Sequence, residues 1–152
     1  MDIFNPDFKD FILFLNQYQV QYMLVGGYAV ILRGYSRSTG DMDIWVNKTT
    51  ANFKLLLNAI RKFGLPEIAV PEEKFFSEQF DVFSFGRPPY AIEILTALKG
   101  ISSFEEAYEL STIEIVDNVE VRVIHLKHLL ASKKAASRHK DKNDIENLPS
   151  LD

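Results

Sequence analysis

Tyr22-Met23-Leu24-Val25-Gly26-Gly27 and then, after thirteen intervening residues, Asp41-Met42-Asp43-Ile44-Trp45-Val46 is the pair of segments from which the fold can be read. The first is a short apolar strand running into two glycines. In a strand, residues two apart point to the same face. Asp41 and Asp43 therefore project side by side, while Met42, Ile44 and Val46 face the other way. Two carboxylates held together repel unless a cation or a shared proton lies between them. Hard oxygen donors in such a pair suit a hard cation, with Mg²⁺ the leading choice. The glycine turn allows a phosphate to approach the backbone closely. Carboxylates, metal and phosphate together point to phosphoryl or nucleotidyl transfer.

Working outward, Asn5-Pro6-Asp7 opens a helix, since Asn caps and Pro is tolerated in the first turn. Phe8, Phe11, Ile12 and Leu15 follow helical spacing, and the helix is expected to end near Tyr18. Residues 28–33 read as a short helix opened by Gly27. Residues 35–40 form a polar loop leading into a strand over 41–46. Thr49 or Thr50 caps a helix with Phe53, Leu56, Leu57 and Ile60 on one face, ended by Gly64. Pro66 and Pro71 bracket residues 65–70, read as a strand. Residues 80–85 and 90–95 read as a hairpin turned by Gly86-Arg87-Pro88-Pro89. Ser103 with Glu106 fits a capping box for a helix through Glu109. Residues 112–116 and 119–124 alternate around Asp117-Asn118, a tight hairpin. A helix over 126–139 and a short one over 143–148 close the chain. The expected class is α+β (mixed α/β): a small mixed β-sheet flanked by helices, in a single domain spanning 1–152.

A two-carboxylate site wants a third acid. Glu93 is the only charge in the apolar run Tyr90-Ala91-Ile92-Glu93-Ile94-Leu95, with Asp81 on the neighbouring strand as the runner-up. The other reading of Glu93 is a solvated residue on an alternating edge. Near the C-terminus, Leu126, Leu130, Lys134, Arg138, Asp141 and Ile145 follow one helical row. Cations on that row either reach solvent or face a polar cavity. Arg37, with Ser38 and Thr39, precedes the aspartates and could grip a phosphate or simply occupy a solvated loop. Trp45 shares the aspartate face, and core packing is its expected role. Tyr28 and Tyr35 are equally suited to packing or to stacking on a base. His125 and His128 lack a third ligand, so zinc is not expected. There is no Ser-His-Asp order and no Cys nucleophile.

Composition narrows the class further. The 152 residues are 47% hydrophobic, ample for one core, and include no Cys, so there is neither a disulfide framework nor a thiolate metal site. No basic leader and no apolar run of membrane-spanning length is evident, and the expectation is a cytoplasmic protein with no membrane partner. The net charge of −4 argues against a general nucleic-acid binder. The charge is nevertheless uneven: residues 127–142 hold six Lys or Arg against one Asp, which suggests a local anion site.

Val25-Gly26-Gly27 with Asp41-Met42-Asp43-Ile44 resembles the signature of the DNA polymerase β-like nucleotidyltransferase superfamily. The wider run through Arg37-Ser38-Thr39-Gly40 and Trp45-Val46 is similar to small bacterial nucleotidyltransferases. These are related to abortive-infection and toxin–antitoxin (AbiEii-like) enzymes and to aminoglycoside and lincosamide nucleotidyltransferases. Lys133-Lys134-Ala135-Ala136-Ser137-Arg138-His139-Lys140-Asp141 is similar to a second block in those proteins. The resemblance implies a nucleotidyltransferase fold. It implies that Asp41, Asp43 and Glu93 are the catalytic and metal-binding carboxylates. It further implies that Gly26, Gly27, Arg37, Ser38, Lys134, Arg138 and Lys140 hold the nucleotide.

On this resemblance the expected activity is Mg²⁺-dependent, two-metal transfer of a nucleoside monophosphate from an NTP such as ATP to an acceptor hydroxyl. An RNA or tRNA end, a protein side chain and a small molecule all remain open as acceptor. A toxin or antitoxin partner and a homodimer are the expected protein partners. The alternative is a non-catalytic nucleotide-binding partner protein built on the same fold. The sequence departs from close relatives in offering Glu, where they often have Asp, as the third acid. Its loop before the aspartates is at the long end of the pattern. It also has no room for the large C-terminal domain that recognises substrate in bigger relatives.

Overall fold

The computed structural model describes residues 2–86 and 90–151. Six strands form one sheet in the order β3-β4-β2-β1-β6-β5. They are β1 (Tyr22–Val25), β2 (Met42–Val46), β3 (Val82–Phe85), β4 (Ile92–Leu95), β5 (Thr112–Val116) and β6 (Val119–Val123). β2 runs parallel to β4 and β1 parallel to β6, while the other neighbours are antiparallel, so the sheet is mixed. The helices are α1 (Pro6–Gln17), α2 (Gly26–Leu32), α3 (Thr50–Phe63), α4 (Glu72–Phe75), α5 (Phe104–Leu110), α6 (Leu126–Ala136) and α7 (His139–Asn147). Among the described residues, no helix is long and apolar enough to cross a membrane.

The two faces of the sheet are covered unequally. Met42 and Ile44 on β2 share a face with Ile92 and Ile94 on β4 and with Phe83 and Phe85 on β3. The Phe11 ring of α1 meets Phe85 and Phe63 of α3, which places α1 and α3 on that face. Phe8, Phe11, Ile12 and Leu15 are buried there, as the helical spacing predicts. Asp43, Trp45, Glu93 and Leu95 point the other way. On that side α5 covers Trp45, whose ring packs edge-on against Phe104 at 5.1 Å. The core role expected of Trp45 is thus met. The Asp43 and Glu93 positions have no such cover.

Most caps fall where the residue types demand. Asn5 Oδ1 accepts from the Phe8 N–H, Thr49 Oγ1 from Asn52 and Ser103 Oγ from Glu106. Asp117 and Asn118 both take positive φ, at 53° and 66°, as a two-residue hairpin turn requires.

Four expectations change. Residues 65–70 are not a strand: Glu67–Ala69 forms a single 3₁₀ turn, because the flanking prolines leave too short a run to pair. α4, placed by no sequence signal, follows at once. The long C-terminal helix stops at Ala136 because Ser137 adopts a left-handed φ of 55°, and α7 starts at His139 rather than near 143. Residues 87–89 of the expected hairpin turn lie outside the described residues.

The fourth change concerns the glycine pair. No turn separates β1 from α2, since the helix begins at Gly26 itself, whose φ is +68°. A Cβ at Gly26 would sit 2.2 Å from Asp43 Oδ2, and one at Gly27 would sit 2.2 Å from Thr39 Oγ1. The pair is required first by the Asp43 carboxylate and the 36–40 loop, which close directly onto the backbone. Gly26→Ala should lose about 1–3 kcal/mol from its left-handed φ alone, with the clash against Asp43 adding to that. Urea denaturation checks it, and an unchanged midpoint would contradict this account of Gly26.

Candidate active site

Parallel pairing of β2 with β4 sets Asp43 directly beside Glu93. Both stand on the uncovered face, and Asp41 immediately precedes β2. Asp41 is held in place by the Ala91 N–H, which donates to its Oδ1 at 3.2 Å. Asp43 Oδ1 is buried and receives no hydrogen bond. Burial first, then the Glu93 carboxylate, then Asp41 push the Asp43 pKa up to about 7, against the pull of Lys133. Three half-buried acids thus meet at one place on the sheet.

They form the floor of an open cleft of about 740 Å³. Val25, Gly26 and Gly27 line one side, together with Arg37, Ser38, Thr39 and Gly40 from the polar loop. Asp81, Glu93, Leu95 and Lys99 line another, and Lys133, Arg138, Lys140 and Asp141 a third. The sheet therefore brings together the ends of β1 and β4, the start of β2 and the C-terminal helices.

The basic wall is organised by two aspartates on α7. Asp141 and Asp144 are fully buried. Arg37 binds Asp144 through both Nε and Nη2, at 2.7 and 2.8 Å. Lys133 Nζ, on a residue only 6% exposed, bridges Asp144 at 3.0 Å and Asp141 at 3.2 Å. Arg138 Nε donates to Asp141 Oδ2 at 2.7 Å, and its backbone N–H donates to the same atom. Burial alone would raise Asp141, but the Arg138 bonds and Lys133 outweigh it and hold the group at about 2. Asp144 is likewise lowered, with burial overcome by Arg37 and Lys133. Three cations against two carboxylates leave an excess of positive charge beside the acidic floor.

Gly26, Gly27, Arg37, Ser38, Asp41, Asp43, Glu93, Arg138 and Lys140 thus share one cleft. Asp81 joins them on its wall, exposed rather than buried against the floor. Lys134 does not line it. It is exposed and lies on a separate groove with Leu130, Ile145 and Leu148. The buried row of α6 is Leu129, Ser132 and Lys133, one residue out of phase with the row through Leu126, Leu130 and Lys134, whose leucines are only partly covered. Lys133 is the cation that points inward. The sequence contained a signal for it, since a Lys one residue from the expected row precedes two aspartates spaced i,i+3 on the next helix. Lys99, which follows β4 on a loop, had none.

A divalent cation fits this floor. Asp43 Oδ1 is a buried hard donor lacking a partner, and the pKa of about 7 marks a pair that a cation would relieve. Among the described residues, no group of three or more His, Cys, Asp or Glu is placed to hold a metal ion.

A six-stranded mixed sheet with helices on it and an acidic cleft at the strand ends is the architecture of the nucleotidyltransferases. A family model described as nucleotidyltransferase of unknown function (DUF6036) matches residues 7–149, and the chain belongs to that family. Among solved structures, the chain is similar to the lincosamide antibiotic adenylyltransferase LnuA, crystallised with lincomycin bound. The TM-score is 0.63 at 13% identity, covering 100% of each chain. It is also similar to a candidate nucleotidyltransferase (TM1012) from Thermotoga maritima, with a TM-score of 0.60 at 9% identity over 95% of this chain and 94% of that one. An antigenic nucleotidyltransferase-like protein from Paracoccidioides brasiliensis aligns with a TM-score of 0.53 at 15% identity, over 93% and 72%. These likenesses establish the fold. A search of curated proteins gives no match.

The raised Asp43 pKa has a defined sign. A carboxyl whose folded pKa lies above its unfolded value contributes stability that is present below the unfolded pKa, near 3.8, and is lost as pH rises through about 7. In chelator, Asp43→Asn should therefore melt higher than the parent at pH 8, by roughly 2–4 °C for each kcal/mol of repulsion removed. The difference should shrink toward pH 4. Melting curves across that range test it, and a pH-independent difference would contradict the assignment.

Proposed function

We propose that this chain transfers a nucleoside monophosphate from an NTP to an acceptor hydroxyl, with Mg²⁺ held by Asp41, Asp43 and Glu93. The observation that carries the reading is the alignment of Asp43 with Glu93 across β2 and β4, Asp41 beside them, on an uncovered sheet face. Bound Mg²⁺ would supply charge neutralisation of the phosphates and lower the pKa of the attacking hydroxyl.

The remaining chemistry belongs to the chain. Gly26 and Gly27 line the cleft, and their missing side chains let Asp43 and Thr39 close onto the start of α2, beside which the triphosphate would lie. Ser38 and Arg37 border it from the loop, and Arg37 is fixed in direction by its two bonds to Asp144. The acceptor oxygen bonds to the α-phosphorus, the α–β phosphoanhydride bond breaks, and pyrophosphate carries away the electron pair. Glu93 receives the hydroxyl proton. Arg138 and Lys140 offset charge on the departing pyrophosphate from the cleft's basic wall, while Lys133 holds the α7 carboxylates in register. Lys134 has no part in this scheme.

The resemblance to abortive-infection and toxin–antitoxin enzymes supports a role in such a module, where the acceptor would be an RNA end or a protein side chain. The likeness to a lincosamide adenylyltransferase supports a small-molecule hydroxyl. Labelled NTPs incubated with Mg²⁺ and a panel holding all three acceptor classes decide between them. NTP binding without pyrophosphate release on any acceptor would favour the non-catalytic nucleotide-binding alternative.

Asp41→Asn and Asp43→Asn should each lower transfer by about 10³-fold or more while the fold persists, consistent with loss of a metal-binding carboxylate. Arg138→Ala and Lys140→Ala should mainly raise KM for the NTP. Lys134→Ala should leave both constants unchanged. Full activity in either aspartate variant would remove the basis of the assignment.

A further inference from the structure

The cleft holds a cation that the scheme above does not use. Arg37, Lys133 and Arg138 are each tied to Asp141 or Asp144. Lys140 is taken up by the departing pyrophosphate. Lys99 lines the same cleft, is exposed, and its side chain makes no ion pair or hydrogen bond with any described residue. Asp81, on the same wall, does not pair with it.

The backbone under Lys99 is fixed. The Ile101 N–H donates to the Leu98 carbonyl at 3.1 Å, closing a β-turn with Lys99 and Gly100 at its centre. Gly100 has a φ of +87°, as the third residue of a type II turn requires. A Cβ there would sit 2.8 Å from Ala135 Cβ and 2.9 Å from the Ala131 carbonyl oxygen, so the turn lies flat on α6. Glycine is needed here for that contact, and the contact carries Lys99 to the cleft. Glu93, Leu95, Ala97 and Lys99 are alternate residues of β4 and its continuation, and all four line the cleft. The row therefore runs from an acid, over an apolar strip, to a free ammonium.

We infer that Lys99 binds the acceptor, and that the acceptor is the 3′ end of a single-stranded nucleic acid whose backbone phosphate meets Lys99. The inference rests on the nucleotidyl-transfer reading. In an in-line transfer the attacking and leaving oxygens lie on opposite sides of the phosphorus. Pyrophosphate leaves along Arg138 and Lys140, so the acceptor comes in over the β4 row, where Glu93 takes its proton. Its hydroxyl is then at one end of the row and Lys99 at the other. A terminal nucleotide offers matching groups in that order: a free hydroxyl, a base with flat faces for Leu95 and Ala97, and a phosphodiester for the ammonium. A neutral small molecule or a protein side chain would leave Lys99 without a counter-charge. The net charge of −4 is compatible with this, because only an end enters the cleft and no long track is needed.

Hexamers of RNA and of DNA, labelled at the 5′ end and free at the 3′-hydroxyl, can be titrated against the full chain without NTP and followed by fluorescence anisotropy. Lys99→Ala should weaken binding about fivefold, Lys99→Glu should weaken it further, and Lys99→Arg should stay near the parent. The salt slope should fall by about 0.7 in Lys99→Ala. Affinity for Mg²⁺-ATP should be the same in all of them. The RNA and DNA arms tell which strand is preferred, through the 2′-hydroxyl. In transfer assays KM for the hexamer should rise while kcat holds. No hexamer binding by the parent, equal hexamer affinity in parent and Lys99→Ala, or a loss confined to Mg²⁺-ATP would each overturn the inference. Transfer to a phosphate-free acceptor that ignores Lys99 would overturn it while leaving the transfer reading intact. Lys99-dependent hexamer binding without pyrophosphate release on any acceptor would instead remove the transfer reading and keep the Lys99 site.

Discussion

Everything around the cleft is arranged about one unfavourable burial, the Asp43 carboxylate. It sits against the backbone at Gly26 so closely that a single methyl there would overlap its Oδ2, and its buried Oδ1 has no donor. Beside it stand Glu93 and Asp41. Repulsion among like charges in a water-poor site grows as the dielectric falls. The fold tolerates this only because positive charge is brought near, and the nearest is Lys133. A lysine that is itself almost wholly buried cannot remain charged without carboxylates of its own. Asp141 and Asp144 supply them.

This dependence explains why the last two helices belong to the site. α7 is short and strongly polar, and its apolar contribution to the core is small. It is tied to the body through ionic contacts, with Asp144 reaching Arg37 across 107 positions of sequence and Asp141 closing the capping box with Arg138. The break at Ser137 is what makes this geometry available. An unbroken helix through 139 would have carried Asp141 and Asp144 past Lys133 instead of folding them back over it.

The sequence made much of this readable, and the boundary is physical. Strict alternation in β2 revealed both the dry face and the acidic face, because a period of two leaves no choice of side. Glu93 stood out because it is a lone charge in an apolar strand, and it proves to be the register partner of Asp43. Helical phase was harder. On α6 two adjacent lysines follow leucines at compatible spacings, and a row advanced by one residue is nearly as apolar as the true one. Which lysine turns inward is decided by Asp141 and Asp144, and that depends on a left-handed residue at Ser137, a position with no glycine or asparagine to announce it. The strand read over 65–70 did not form, because the segment between its prolines is too short to pair and closes a single 3₁₀ turn instead.

The acidic face of the sheet ends up divided by what covers it. In the middle, Phe104 and Tyr108 of α5 shield Trp45 and provide the shelf on which Arg122 rests. Toward β4 the cover stops and the carboxylates open into the cleft. Toward β5 it stops again, and there the exposed groups are isoleucines rather than acids. A longer α5 would have shielded both margins at the cost of both openings. Its seven residues bury Trp45 and leave Asp43 and Glu93 open to the cleft.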